Sequence, residues 1–474
     1  MFLGPSLPVE RARSILRADY RPEARKGDIY RLLTTGTKTI VLIDGIFHSG
    51  PSVWQREILA ALDEGIEVFG ASSMGALRAA ELHPFGMIGH GTVFEWYRDG
   101  VIDGDDEVAL RHATAEHGYR ALSVPLVNIR STLAAAEADG VLTPAEAAGL
   151  LSSAKQTYYP DRSYRALLAG PLLQGWPPAR LAELGDYLRR RAVDLKARDA
   201  ASVLERCARP RAAAVREPRG VVDLWSDEFR YASLQFRVVD GPAGTVPWSD
   251  VARAAWQSAE WPGARLRATV RWFLTDWARL RGLVCPDDFA RSFQARWSAA
   301  AEVEDRADDR AAWSRARGLT SRECAALIGQ SALVAWLRGE GPAAYGLEWD
   351  AGEAARVDGL LAATGAGSSL SADEAAFIAG WARECGVRCP RRAREESLTS
   401  WGLHSVPARR AAARELAIPR GRLARILDRR AVADWVVAQG PEGFGRTADI
   451  DVAAIQELQL AGPGAEVRAR ARAS

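Results

Sequence analysis

Two kinds of apolar spacing divide the chain. In the first 165 residues, short β-type runs, Thr39–Asp44 (TIVLID) and Glu67–Ala71 (EVFGA), alternate with helical patterns, Ser52–Leu62 and Met74–Leu82. Strands too apolar to have a wet face, separated by single helices, predict a mostly parallel sheet covered by helices. The opening Met1–Gly4 run supplies a third strand in this reading, ahead of a helix near Val9–Leu16. From about residue 130 the strand signal fades and Ala/Leu/Arg helices take over.

The helical part repeats itself. Trp277-Ala278-Arg279, Gly282 and Cys285-Pro286 recur as Trp381-Ala382-Arg383, Gly386 and Cys389-Pro390, an offset of 104, and Trp297 recurs as Trp401. After a five-residue deletion, Leu319, Cys324, Leu327, Trp336 and Gly341-Pro342 match Ile418, Leu423, Ile426, Trp435 and Gly440-Pro441 at an offset of 99. Matching apolar positions and matching turn residues together imply two copies of one helical unit, roughly 265–348 and 370–447. The expected architecture is therefore an α/β N-terminal domain (1–165) followed by an all-α region. That region holds a helical connector with a linker (166–264), a first helical module (265–348) and a second with a basic tail (349–474). The basic stretch Arg206–Gly220 and the Gly/Ser stretch Ala362–Ser371 are the linker candidates.

Composition narrows the class. With 48% apolar and 26% charged residues over 474 positions, the chain has the make-up of a globular protein rather than a disordered or collagen-like one. A formal net charge of +2 gives no global case for nucleic acid or a membrane surface. Only four of the 62 basic residues are lysines (Lys26, Lys38, Lys155, Lys196), and in an Ala/Gly-rich chain this reads as codon bias before phosphate recognition. Five scattered cysteines (207, 285, 324, 385, 389) fit no disulfide framework and suggest a reducing, cytoplasmic setting. No signal-peptide pattern opens the sequence, and no apolar stretch reaches 18 residues. Cys385-x-x-x-Cys389 with His404 lacks a fourth ligand at suitable spacing, so neither metal nor cofactor is expected. The repeat tryptophans Trp277, Trp336, Trp381 and Trp435 read as core.

The strongest local chemistry is Val68-Phe69-Gly70-Ala71-Ser72-Ser73-Met74-Gly75-Ala76-Leu77-Arg78, an apolar strand running into a helix through small residues. Ser73 between Ala71 and Gly75 has the small-x-Ser-x-small pattern of a nucleophile elbow, with Ala71 in place of the usual first glycine. Such a turn pushes the serine Oγ clear of the sheet and aims the Met74 N–H at a developing oxyanion. Three readings stay open: a nucleophile at Ser73 (or Ser72, if the elbow is shifted), a cradle for an anion, or a helix cap. Asp44, Gly45 and His48 follow the first strand and should meet the same sheet edge. His112, and Asp106 in the acidic run Asp103–Glu107, are further acid–base candidates, with Asp105 read as an N-cap that starts a helix. Arg78, one turn into the helix after the elbow, is a candidate for an anionic substrate, and Asn128, Arg130 and Arg162 are candidates for the same cleft.

Taken in order, LGPSLP, GDI at 27–29, VLIDGIF, VWQREIL, VFGASSMGALRAAEL, FGMIG, DDEVALRH, LVNIR and YPDRSY resemble the TfuA-like proteins over roughly residues 1–165. Two positions depart from the family's pattern: Gln55, where His is common, and Val124, where an acid is common. The resemblance implies an accessory role beside a YcaO-type, ATP-dependent enzyme that thioamidates the backbone of a precursor peptide. It further implies hydrolysis of the C-terminal thiocarboxylate of a small ubiquitin-like sulfur carrier, releasing sulfide. The alternatives are a non-catalytic adaptor that binds partner or peptide through the helical repeats, and a stand-alone serine hydrolase.

Overall fold

The β-type runs become strands, as their lack of a polar face requires. In the computed structural model, β1 (Thr39–Leu42), β2 (Glu67–Ala71) and β3 (Ile88–His90) form a parallel sheet in that order, with Leu42 level with Gly70 and Ala71 level with His90. The structure describes residues 1–47, 50–209, 234–241, 244–304, 306–363, 369–446 and 448–461. They fall into two units, Met1–Trp225 and Ser226–Ser474.

The Met1–Gly4 run is not the third strand. Phe2 makes one parallel bridge to Leu42, and pairing then stops. The cause is local: Pro5 has no N–H to give, and the Gly4 and Ser6 amides donate to the Asp44 carboxylate instead of to a ladder. The third strand is β3, a three-residue, half-buried segment.

Helices α2 (Gln55–Asp63) and α3 (Met74–Leu82) connect the strands. Alternate strand residues face opposite sides. Val41, Phe69 and Ala71 pack with Leu3, Leu7 and Ala12 of the N-terminal segment, which carries α1 (Val9–Ile15), and with Ala200, Val203 and Leu204 of α9 (Leu195–Ala208). Between α4 (Thr92–Arg98) and α9 lie α5 (Leu126–Ala138), α6 (Pro144–Gln156), α7 (Tyr164–Leu168) and α8 (Pro178–Arg190), joined by a leucine-rich core that includes Leu133, Leu150, Leu167 and Leu184. The helix expected after Asp105 is absent: Asp105–Glu107 is one 3-10 turn, and the chain beyond it runs extended to a bridge between His112 and Ala121.

The second unit opens with a short antiparallel pair, β4 (Val238–Gly241) and β5 (Gly244–Pro247), and is helical from there. α10 (Trp248–Trp256) leads into α11 (Trp261–Leu280), α12 (Asp287–Ala300), α13 (Ala307–Ala316) and α14 (Ser321–Glu340), closed by a 3-10 turn at Pro342–Tyr345. After α15 (Ala351–Ala363) a similar series follows: α16 (Ala372–Glu384), α17 (Arg391–Ser400), α18 (Val406–Glu415) and α19 (Arg420–Gln439), with a 3-10 turn at Glu442–Phe444. α20 (Ile450–Ala461) packs on α11, tied by Arg271–Glu457 at 2.6 Å.

The two series pack face to face through equivalent rings. Trp277 meets Phe377 at 5.0 Å and Trp381 meets Phe273 at 4.7 Å, while Tyr345 and Phe444 occupy matching places beside Trp277 and Trp381. Trp277, Trp381, Phe273 and Phe377 are all fully buried. Among the described residues no helix is long and apolar enough to cross a membrane.

Candidate active site

Strand β2 ends at Ala71 and α3 begins at Met74, so the chain must turn within two residues. Ser72 takes the strain: its φ is 69°, in the left-handed region costly to a side chain. Across it the Ser73 N–H donates to the Ala71 carbonyl at 2.8 Å, the closure of a γ-turn. The Ser72 hydroxyl is buried and donates to the Lys196 carbonyl at 2.9 Å, which secures the turn to α9.

That division of labour decides which serine lines the cleft: Ser73, itself 7% exposed. Ser73 is the N-cap residue of α3, yet its side chain caps nothing, so the plain capping reading fails. The Met74 N–H, first of the helix, has no hydrogen-bond partner among the described residues, whereas the next, Gly75 N–H, donates to Ile43 O at 3.1 Å. A free amide at a helix N-terminus beside an uncommitted hydroxyl suits an oxyanion.

Both face a cleft of about 520 Å³ at the carboxyl edge of the sheet. Asp44, Gly45, Ser73 and Met74 line it from the strand ends, and the segment from Val108 to Ala115 lines it with Glu23, Arg25, Tyr119 and Lys196. Asp44 is 1% exposed and accepts three bonds: Gly4 N–H at 2.9 Å, Ser6 N–H at 3.1 Å and Ser6 Oγ–H at 2.6 Å. It therefore locks the N-terminal loop against the sheet and holds one negative charge at the floor.

Lys196 is the counterpart of that charge. Its side chain is buried, and Nζ donates to the Val108 carbonyl at 2.9 Å. Burial lowers its pKa below the ordinary lysine range, while Asp44 and then Asp194 act in the opposite direction. A buried amine with a depressed pKa in a cleft is a general-base candidate. His112 is on the same wall. Its Nδ1 faces the Ala113 carbonyl at 2.8 Å, and a carbonyl only accepts, so Nδ1 carries hydrogen. Nε2, left for the cleft, is 3.4 Å from Glu23 Oε1. Burial first, and the Glu23 charge second, push the Tyr119 phenol up to about 12.

Several expected residues lie elsewhere. Asp106 is held by Arg162, whose guanidinium is buried and also donates to the carbonyls of Asp106, Ala154 and Thr157. The pair closes a loop against α6 instead of facing the cleft. Arg130 donates to the fully buried Glu107 at 2.7 Å. Asn128 spans Asp194 Oδ1 (3.0 Å) and the Lys196 N–H (3.1 Å), so it positions the start of α9 rather than a substrate. Arg78 is committed to Glu81 (2.9 and 2.8 Å) and the Val53 carbonyl (3.2 Å). Gln55 bonds the same Glu81 at 3.1 Å and does not line the cleft. Gly75 serves packing: a Cβ there would stand 1.8 Å from the Leu42 carbonyl oxygen. His48 lies outside the described residues. Among those described, no group of three or more His, Cys, Asp or Glu is arranged to hold a metal ion, and Cys385 accepts from Arg446 at 3.5 Å.

Lys196, Glu23, Arg25, Arg111 and Tyr119 line the cleft without having been singled out in the sequence. For Lys196 a signal existed. In a chain with so few lysines, one kept inside a helix is a compositional exception, and lysine, unlike arginine, can lose its proton.

Fold and site together define an α/β protein with its ligand cleft at the carboxyl edge of a parallel sheet. Residues 44–163 match the family model described as TfuA-like protein, and the N-terminal unit thus carries a TfuA-like domain. The match contains Asp44, the strand-to-helix turn and His112 but ends before Lys196. No curated protein matches the chain.

Proposed function

We propose that the N-terminal unit hydrolyses the C-terminal thiocarboxylate of a small ubiquitin-like sulfur carrier. The sulfide released serves a YcaO-type enzyme that thioamidates a precursor peptide, whose engagement the chain also assists. The observation that carries the chemistry is the cleft shared by an uncapped Ser73 hydroxyl, the free Met74 N–H and the buried Lys196 amine.

In this reading Ser73 Oγ adds to the acyl carbon and its proton passes to the neutral Lys196 amine. The charge on the acyl oxygen is met by the Met74 N–H. The carbon–sulfur bond then breaks as the Lys196 ammonium returns that proton to sulfur, so hydrosulfide leaves with the electron pair and the amine is neutral again. Water, deprotonated by the same base, cleaves the acyl-serine to a carboxylate and regenerates the hydroxyl. A thiocarboxylate is itself anionic, and Arg25, Arg111 and the imidazole edge of His112 on the cleft wall offset its repulsion of a nucleophile.

The test is sulfide release from a thiocarboxylated carrier by the wild type, Ser73→Ala and Lys196→Met. Loss in both variants supports the mechanism, and loss in neither makes an activated water the nucleophile. A wild type that releases no sulfide, yet still binds carrier or partner, is an adaptor. Comparable turnover of simple activated esters identifies a stand-alone serine hydrolase instead.

A further inference from the structure

The two helical series differ most where arginine accumulates. A groove of about 830 Å³ lies among α16, α17 and α19, with Arg383, Arg388, Arg394, Arg425 and Arg429 on its walls against one carboxylate, Asp428. At the offsets that align the copies, the first series has Val284, Ala290, Ala326 and Gln330 in place of Arg388, Arg394, Arg425 and Arg429. The arginine excess of the whole chain does not explain this, since the first copy has the same background and lacks the cluster.

Arg383 does have an equivalent, Arg279, but their partners differ. Arg279 donates to Asp276 at 2.9 and 2.7 Å, and Asp276 also accepts from Trp381 Nε1 at 3.0 Å. Where the second copy would have that aspartate, it has Gly380. Two groups are stranded as a result. The Arg383 side chain makes no ion pair or hydrogen bond among the described residues, and the buried Trp277 Nε1, the counterpart of Trp381 Nε1, has no acceptor among them. Arg388 is likewise unpaired among the described residues, and Arg425 comes no closer than 4.0 Å to Glu348, an exposed side chain at the rim. Arg429 donates to the Glu348 carbonyl and lies 3.9 Å from the Glu348 carboxylate; burial first lowers its pKa, Glu348 acts in the opposite direction, and Arg383 and Arg425 lower it further. Asp428 is taken by Arg394 at 2.8 Å and Glu348 is shared at the rim, so five guanidinium groups have two carboxylates between them and a further anion relieves their mutual repulsion.

We infer that this groove binds an acidic peptide segment, with aspartate or glutamate side chains on the arginine walls and small apolar side chains on the floor. This inference goes beyond the hydrolase reading and does not depend on it. The floor favours peptide over single-stranded nucleic acid: Leu347, Ala376, Ala379, Gly380 and Val432 offer apolar contact, and among the described residues no aromatic ring lines the groove for bases to stack on. Its volume is also in the range of a site for a few residues. Arginine forks match carboxylates in pairs of hydrogen bonds, so charge and geometry agree.

The test is fluorescence anisotropy with the full chain and a labelled peptide of alternating Asp/Glu and Ala/Val. Its amidated Asn/Gln counterpart and an oligouridylate serve as the other probes. The acidic peptide should bind at least tenfold more tightly than the neutral one, and the preference should weaken with salt. The double variant Arg388→Glu/Arg425→Glu should lose that preference with an unchanged melting curve. Gly380→Asp, which supplies the missing carboxylate to Arg383 and Trp277, should weaken binding; its Cβ would stand 3.1 Å from Leu347 Cδ2 and 3.3 Å from Trp277 Nε1, so its melting curve is recorded alongside. Equal binding of acidic and neutral peptides overturns the inference, as does full affinity in the double variant with its fold intact. Tighter binding of the oligouridylate, lost in the same variant, assigns the groove to nucleic acid instead.

Discussion

Gly75→Ala tests the turn on which the site depends. Gly75 brings the first turn of α3 onto the backbone of β1: a Cβ would stand 1.8 Å from Leu42 O and 2.6 Å from Leu42 C. Ordinary contact begins near 3.4 Å, so the helix must retreat by more than an ångström or twist. Neither side can yield through a rotamer, since both are main chain, and Gly75 N–H is bonded to Ile43 O. Overpacking of this kind costs roughly 1–3 kcal/mol, and the threatened hydrogen bond adds about 1 kcal/mol. The gain in helix propensity from alanine, about 0.5–1 kcal/mol, is too small to compensate. A net loss of about 2 kcal/mol lowers the melting temperature of a unit this size by about 4–8 °C. Because Ser73 rides on the displaced turn, sulfide release should fall by about 100-fold. Circular-dichroism melting and the carrier assay read the two effects. Gly329→Ala is the control, a helical glycine with nothing within 4 Å of its Cβ, and should be neutral or slightly stabilising. A Gly75→Ala protein with wild-type melting and turnover would refute the account of both the packing and the turn.

Four further outcomes follow from the same geometry. Ser73→Ala should abolish turnover with little change in melting, because its hydroxyl caps nothing, whereas Ser72→Ala should lose about 1 kcal/mol with its bond to Lys196 O. Asp44→Asn keeps one acceptor oxygen but sets an NH2 donor against groups that donate to the other, and removes the charge facing Lys196; it should cost about 1–3 kcal/mol in denaturant unfolding. If the neutral Lys196 amine is the base, turnover rises with pH through a midpoint below the ordinary lysine value. The unfolded chain binds the extra proton between that midpoint and the ordinary value, so stability also rises with pH across that window, and Lys196→Met should flatten both trends. Asp276→Ala strands Trp381 Nε1 as Trp277 Nε1 already is, and should cost about 1–3 kcal/mol on melting the helical unit.

The parts of the fold that were legible from sequence share one property: local preference and tertiary environment agree. EVFGA is apolar after Glu67, and the next two serines interrupt it before a strong helical pattern, so β2 and α3 have the bounds that the residues suggest. β3 had no comparable signal, since Ile88-Gly89-His90 is half-buried and contains one β-branched residue. The acidic run misled for a different reason. Asp105-Asp106-Glu107 favours a helix start, but Glu107 is drawn into the interior by Arg130 and Asp106 is taken by Arg162, so the backbone unwinds after one turn. Partners more than twenty residues away decided the conformation, and no window of local sequence contains them.

The same distance explains why the cleft was only half visible. The strand-end residues, Asp44 and Ser73, announce themselves because strand, turn and helix are contiguous. Lys196 enters from a helix 123 residues after Ser73, and its place is set by Asn128 and Asp194 at the start of α9. What sequence does hold is the choice of side chain. Arginine fills nearly every basic position in this protein, most of them exposed, where a permanent charge with five donors is easily solvated. At position 196 one carbonyl, Val108 O, accepts the bond from Nζ, and the side chain is almost wholly shielded from solvent. A guanidinium there would leave donors unsatisfied and could not give up its charge, whereas an amine meets the single acceptor and can become neutral. Burial, the lone acceptor and the opposing Asp44 are thus one constraint seen from three sides, and that constraint selects lysine against the bias of the rest of the chain.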